Sequence, residues 1–122
     1  MVFGFIDAGG IFPPHTNQAD ELVFVVEGNI EVGFITPYPD SRLISKVLRQ
    51  GQLLAIPNSL VHYKKNLGAK TATVLIALSN QDIDPILLAE TMFGSGLKLE
   101  TDILAKALHV DKGIINQIVS KF

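Results

Sequence analysis

The 122-residue chain has no cysteine and no tryptophan, and only 2 methionines and 3 histidines. Without cysteine there are no disulfides, no thiolate metal sites and no cysteine nucleophile, while the redox compartment stays open. Charge of one sign is scarce as well. With 10 basic against 12 acidic residues, a formal net charge of −2 and no run of like charges, the chain lacks the footprint of a nucleic-acid or anionic-membrane binder. Long apolar runs are missing too. Gly, Pro, Asn or charge interrupts each one before it reaches the roughly 20 residues that cross a bilayer, so no membrane span is expected. The opening "MVFGFIDAGG" does not join a basic stretch to a long apolar one, so no secretion signal is expected in it.

What is present is enough hydrophobic residue, 48% of the chain, for one domain to build a core, and residues 1–122 are read as a single domain. From Glu21 to Ser79 the chain runs in short apolar and β-branched stretches: "ELVFVVE", "NIEVGFIT", "RLISKVLRQ", "QLLAIP", "VHYKKN" and "TATVLIALS". They are broken at Gly28-Asn29, Pro37–Ser41, Gly51, Pro57–Ser59 and Leu67–Ala69, roughly the 8 to 12 residue interval of an antiparallel sandwich or barrel. Beyond Asp84 the pattern turns helical. Ile103, Leu104, Ala107 and Leu108 share one face behind a Thr101 cap, and Ile114, Ile115, Ile118, Val119 and Phe122 share another behind an Asp111 cap. The fold class is therefore mainly β, a barrel over about 1–95 followed by short C-terminal α-helices over about 101–122. Helices this short are marginal alone, so their apolar faces are expected to dock, preferentially on another subunit.

The polar residues of "PPHTNQADE" recur at even spacing. His15, Asn17, residue 19 and Glu21 fall on one face of an extended chain, and Val23 and Val25 continue it. His62 follows a Pro57-Asn58-Ser59 turn in a strand that a sandwich brings opposite His15 and Glu21. Two imidazoles and a carboxylate form a recognised ligand set for a divalent transition metal such as iron or manganese. His109 has no partner at useful spacing and is read as a surface residue.

Two longer patterns resemble a known family. "GGIFPPHTNQADELVFVVEG" is similar to the first cupin motif of the plant germins and germin-like proteins, with Gly9, His15, Glu21 and Gly28 in register. "GQLLAIPNSLVHYKKN" is similar to the second, through Gly51, Pro57, His62 and Asn66. "MFGS" and "ILAKALHVDKGIINQIVSKF" resemble the tail of germin-like proteins. The resemblance implies a cupin jelly-roll β-barrel, with helices that lock subunits into dimers and hexamers. It also implies a manganese or other divalent metal held by His15, position 17, Glu21 and His62. Position 17 is Asn, a weak neutral donor, so metal binding is expected to be weak or absent. Ser59 stands where the second motif has Gly. Phe12 and Val2 stand where oxalate-oxidising germins carry asparagines, which disfavours oxalate oxidation.

The family is usually secreted to the apoplast and cell wall, and its full-length members carry a signal, a cysteine pair and further strands before the position of Met1. None of these is in this chain, so a shortened chain is expected, with oligomerisation covering a sheet edge. Three functions follow. The first is a manganese-dependent oxidoreductase of the superoxide dismutase kind, using His15, Glu21 and His62. The second is a metal-free cupin in which those residues act as acid and base on an apolar small molecule, as an isomerase or cyclase, with Phe12, Asn17, Val23 and Val25 lining the pocket. The third is a non-catalytic binding or structural oligomer.

Overall fold

Alternation of apolar and polar residues produces strands along the earlier part of the chain: β1 (Val2–Ile6), β2 (Ile11–Thr16), β3 (Glu21–Glu27), β4 (Ile30–Ile35), β5 (Leu43–Leu48), β6 (Leu53–Ile56), β7 (His62–Asn66), β8 (Ala72–Leu78) and β9 (Ile86–Leu87). They come from a computed structural model that describes residues 1–81, 84–94, 96 and 99–122. A four-stranded sheet has the order β1-β8-β3-β6, and a five-stranded sheet has the order β5-β4-β7-β2-β9. β1 with β8, β2 with β7, β3 with β6 and β8, and β4 with β5 and β7 all pair antiparallel, as expected of a sandwich or barrel. The chain divides into two units, Met1–Ile86 and Leu87–Phe122.

Within the first unit the inward positions of both sheets meet in one apolar cluster. Ile6, Val23, Val25, Ile56, Ala72 and Val74 come from the four-stranded sheet, and Ile30, Val32, Phe34 and Leu48 from the five-stranded one. Each fully buried Val, Leu or Ile contributes on the order of 1.5–3 kcal/mol, and this closes the two sheets on each other. Gly28 makes the β3–β4 connection possible: its φ is +104°, and a Cβ there would lie 2.9 Å from the Ala72 Cβ. The outer face of the four-stranded sheet stays apolar, with Phe3, Phe5, Leu22 and Leu53 exposed.

The second unit holds α1 (Leu88–Phe93), α2 (Thr101–Leu108) and α3 (Lys112–Val119). Leu104, Ala105 and Ile115 form its buried centre, backed by Met92, Phe93, Val110 and Val119. The buried stripe of α2 is therefore rotated from the expected one, because its inward residues are Leu104 and Ala105 while Ile103 and Leu108 are exposed. The expected Thr101 cap is also displaced: Glu100 holds the N-cap position and Thr101 is already helical. Asp111 does occupy the N-cap position of α3, without a side-chain cap bond. Ile114 in α3 and Phe122 beyond its end are exposed. Helix α1 occupies residues that the sequence reading assigned to the barrel; Ser95, the end of "MFGS" and of that range, lies outside the described residues.

Candidate functional site

The segment from His15 to Glu21 is where the chain leaves one sheet and enters the other. His15 lies near the end of β2 in the five-stranded sheet, and Glu21 opens β3 in the four-stranded sheet. Residues 17–20 between them are not a strand, yet His15, Asn17, Ala19 and Glu21 are all buried while residues 18 and 20 are exposed. The expected one-face spacing is thus kept across a crossover. Asp20 ties that crossover down: its Oδ1 accepts from the Asn58 amide at 2.8 Å and its carbonyl from the Ser79 amide at 3.0 Å. The Asn17 carbonyl accepts from the Ser59 amide at 3.1 Å, joining the crossover to the turn before His62. Ser59 has φ +67°, so the turn keeps the left-handed conformation a glycine would take there, now with a side chain.

His62 lies nearer to His15 than the sequence suggested, since β7 pairs directly with β2 and the two histidines are cross-strand partners. Their ring centroids are 3.9 Å apart. The register of β2 shifts between Phe12 and His15, where Pro13 and Pro14 have no amide to offer the ladder. The Pro13 carbonyl instead accepts the His15 Nδ1–H at 2.8 Å, and the Leu60 carbonyl accepts the His62 Nδ1–H at 2.9 Å. Each ring therefore reaches back two residues for its carbonyl and leaves Nε2 as the free nitrogen. Phe12 packs edge-on against His15 with centroids 4.4 Å apart.

His62 Nε2 lies 2.8 Å from Glu21 Oε2, but without the alignment a hydrogen bond needs, so that nitrogen has no hydrogen-bond partner among the described residues. On its other side the Glu21 carboxylate meets a residue that the sequence reading left out. Lys64, 2% exposed, places Nζ 3.3 Å from Oε1 and 3.4 Å from Oε2, astride the carboxylate. A signal for it existed: with His62 and Asn66 pointing inward on one strand, period two puts residue 64 inward as well. Burial would raise the Glu21 carboxyl, but the His62 contact and the Lys64 ammonium outweigh it and hold it below the usual carboxylate range. Burial lowers His15 to about 4, despite the opposing Pro13 hydrogen bond, so its ring is neutral near pH 7. Burial also lowers Lys64 against the pull of Glu21.

A cavity of about 240 Å³ opens onto this group, lined by Val2, Phe12, His15, Asn17, Glu21, Lys64, Ile76, Leu78 and Pro85. Val23 and Val25, expected on its wall, are fully buried in the apolar cluster instead. His109 is exposed at the C-cap of α2. Asn66 is structural: its Nδ2 faces the carbonyls of Ile6, Asp7 and Lys70 at 2.8–3.1 Å, and its Oδ1 accepts the Gly68 amide.

The two imidazoles suit a metal, because each gives its Nδ1–H to a carbonyl as metal-bound histidines do. The rest of the set does not fit a divalent ion. The Lys64 ammonium holds the place that a bidentate metal would take, position 17 offers an amide, and the described residues contain no group of three or more His, Asp or Glu disposed around a metal position.

The family model for cupins matches residues 1–116. Over 115 residues the chain is 43% identical to germin-like protein 8-2 of Oryza sativa subsp. japonica, covering 93% of this chain and 52% of that protein. Over 111 residues it is 40% identical to germin-like protein subfamily 1 member 10 of Arabidopsis thaliana, covering 90% and 50%. The chain thus spans about half the length of the curated relatives it matches. Among solved structures it is similar to an oxalate oxidase at a TM-score of 0.93 and 31% identity, covering 98% of this chain and 61% of that one. Barrel, motif register and kinship agree: the chain belongs to the cupin family, as a germin-like protein of the plant type.

Proposed function

We propose that this germin-like cupin acts on a small, largely apolar organic molecule by acid–base chemistry at His15, Glu21 and His62, without a metal. The contact between His62 and Glu21 carries the reading. The Nδ1–H of His62 is already given to Leu60, so Nε2 is the nitrogen left to exchange a proton, and it lies 2.8 Å from a Glu21 oxygen. A pair that holds a proton at a cavity wall can hand it to a bound molecule, and the neutral His15 ring beside it can accept one. Isomerisation and cyclisation both need an acid and a base on the same molecule.

The cavity walls favour an apolar body. Glu21 and Lys64 cancel each other's charge, and Val2, Phe12, Ile76, Leu78 and Pro85 supply no donor for a dianion, which would lose its hydration on entry. Oxalate, the substrate named for the similar solved enzyme, is disfavoured on that ground. The test is solvent-deuterium exchange into small enolisable ketones that raise the melting temperature of the full chain, followed by NMR. Exchange that His15→Ala and Glu21→Gln both abolish is expected; full turnover in His15→Ala overturns the reading.

A second reading, a manganese-dependent oxidoreductase acting on superoxide, is favoured by the free Nε2 atoms of His15 and His62 and by the lack of a hydrogen-bond partner at the latter. Stoichiometric manganese in protein purified without chelator would decide for it. Assembly into a homo-oligomer, from dimer to hexamer, and secretion to the apoplast are the proposals that the family implies. The exposed Phe3, Phe5, Leu22 and Leu53 support assembly, and light scattering of the full chain tests it.

A further inference from the structure

The side chain that sets this centre apart is Lys64. Its strand neighbours fix its place: Phe12 is its partner on β2 and Val32 its partner on β4. Nζ stands 5.4 Å from the centre of the Phe12 ring and bridges both oxygens of Glu21. A lysine normally carries its head to water along a flexible stem. This one is fully enclosed, and among the described residues its hydrogen bonds go to Glu21 alone. In the interior one carboxylate thus faces one ammonium.

We propose that Lys64 is the resident cation of the centre and keeps divalent metals out, so that metal binding is limited by Lys64 before it is limited by Asn17. This rests on the metal-free reading above and explains it. A divalent ion reaching Glu21 would lie within a few ångströms of Nζ, in a closed interior where such repulsion is weakly screened. It would also leave the centre with two uncancelled positive charges, since Glu21 is the only carboxylate among the described residues lining the cavity. Moving Nζ aside would strip the ammonium of both its acceptors. Replacing Lys64 by a neutral side chain removes the repulsion and frees both oxygens, leaving two imidazoles and one carboxylate, a set that binds divalent metals elsewhere.

The test is calorimetric titration of chelator-treated full chain with manganese chloride, with bound metal counted by elemental analysis. The proteins are the wild type, Lys64→Gln, Lys64→Arg, Asn17→His and the double variant Lys64→Gln/Asn17→His. Wild type, Lys64→Arg and Asn17→His are expected to take up no manganese at millimolar metal. Lys64→Gln is expected to bind it, and the double variant about tenfold tighter or more. Stoichiometric binding by Asn17→His with Lys64 in place overturns the assignment, and so does a folded Lys64→Gln that binds none; both leave the metal-free reading intact. Stoichiometric manganese on the wild type overturns that reading itself. If Lys64→Gln does not fold, Lys64→Met, which matches the stem in an apolar setting, takes its place, and the Asn17→His arm still decides.

Discussion

Neighbouring strands line the interior of the barrel with two different rows of side chains. Along β4 the inward residues are Ile30, Val32 and Phe34; along its neighbour β7 they are Asn66, Lys64 and His62, paired with them row by row. Both rows are withdrawn from water to the same degree, yet one consists of hydrocarbon and the other of groups that cost free energy to bury. Removing water stabilises the first without further conditions. The second is tolerable only because each polar group has a partner: Asn66 has four backbone groups, Lys64 has Glu21, and His62 has the Leu60 carbonyl. Packing holds the apolar row, and pairing holds the polar row.

Substitutions can break that contrast. Leu48→Ala, beside Ile30 of the apolar row, should cost about 3 kcal/mol in urea denaturation while leaving the histidine NMR signals of the centre in place. Asn66→Ala leaves buried carbonyls and the Gly68 amide unpaired and should cost about 2 kcal/mol in the same assay, without creating a comparable void.

Acid should act on the polar group through His15 and Glu21. His15 has a folded value of about 4 against an ordinary 6.5, so the unfolded chain takes up the proton first, and stability falls as pH drops from about 6.5 to 4. That slope reaches at most about 1.4 kcal/mol per pH unit for one proton. Glu21 is held below its ordinary value, so its contribution is complete above about 4.5 and is lost as pH falls further. Denaturation series from pH 7 to 3 should lose the upper part of the slope in His15→Gln and the lower part in Glu21→Gln. The smallest effect is at the turn before His62: Ser59→Gly should raise the melting temperature, by about 1 kcal/mol of relieved left-handed strain, with the position of His62 unchanged.

Much of the barrel could be read from the sequence because strand alternation and turn residues are local signals. His15, Glu21 and His62 could be grouped from the sequence because their spacing survives the crossover between sheets. The crossover itself was not legible, since residues 17–20 keep the burial alternation of a strand without being one. Lys64 fitted the same alternation but went unweighed, because lysine is rarely buried and residue type argued against position. Val23 and Val25 were placed on the right face, but sequence does not say how far along the barrel the cavity extends. In α2 the buried stripe missed by one residue, which in eight residues is enough to exchange Ile103 for Ala105.

The crossover gives the centre a mechanical character. His15 and His62 ride on one sheet and Glu21 on the other, like the two jaws of a clamp, so the 2.8 Å gap between His62 and Glu21 measures how far the sheets have closed. Loosening the apolar packing should open that gap while the barrel is still folded. The reactivity of the centre would then decline before the protein melts, and its loss on gentle warming would report the fit between the two sheets.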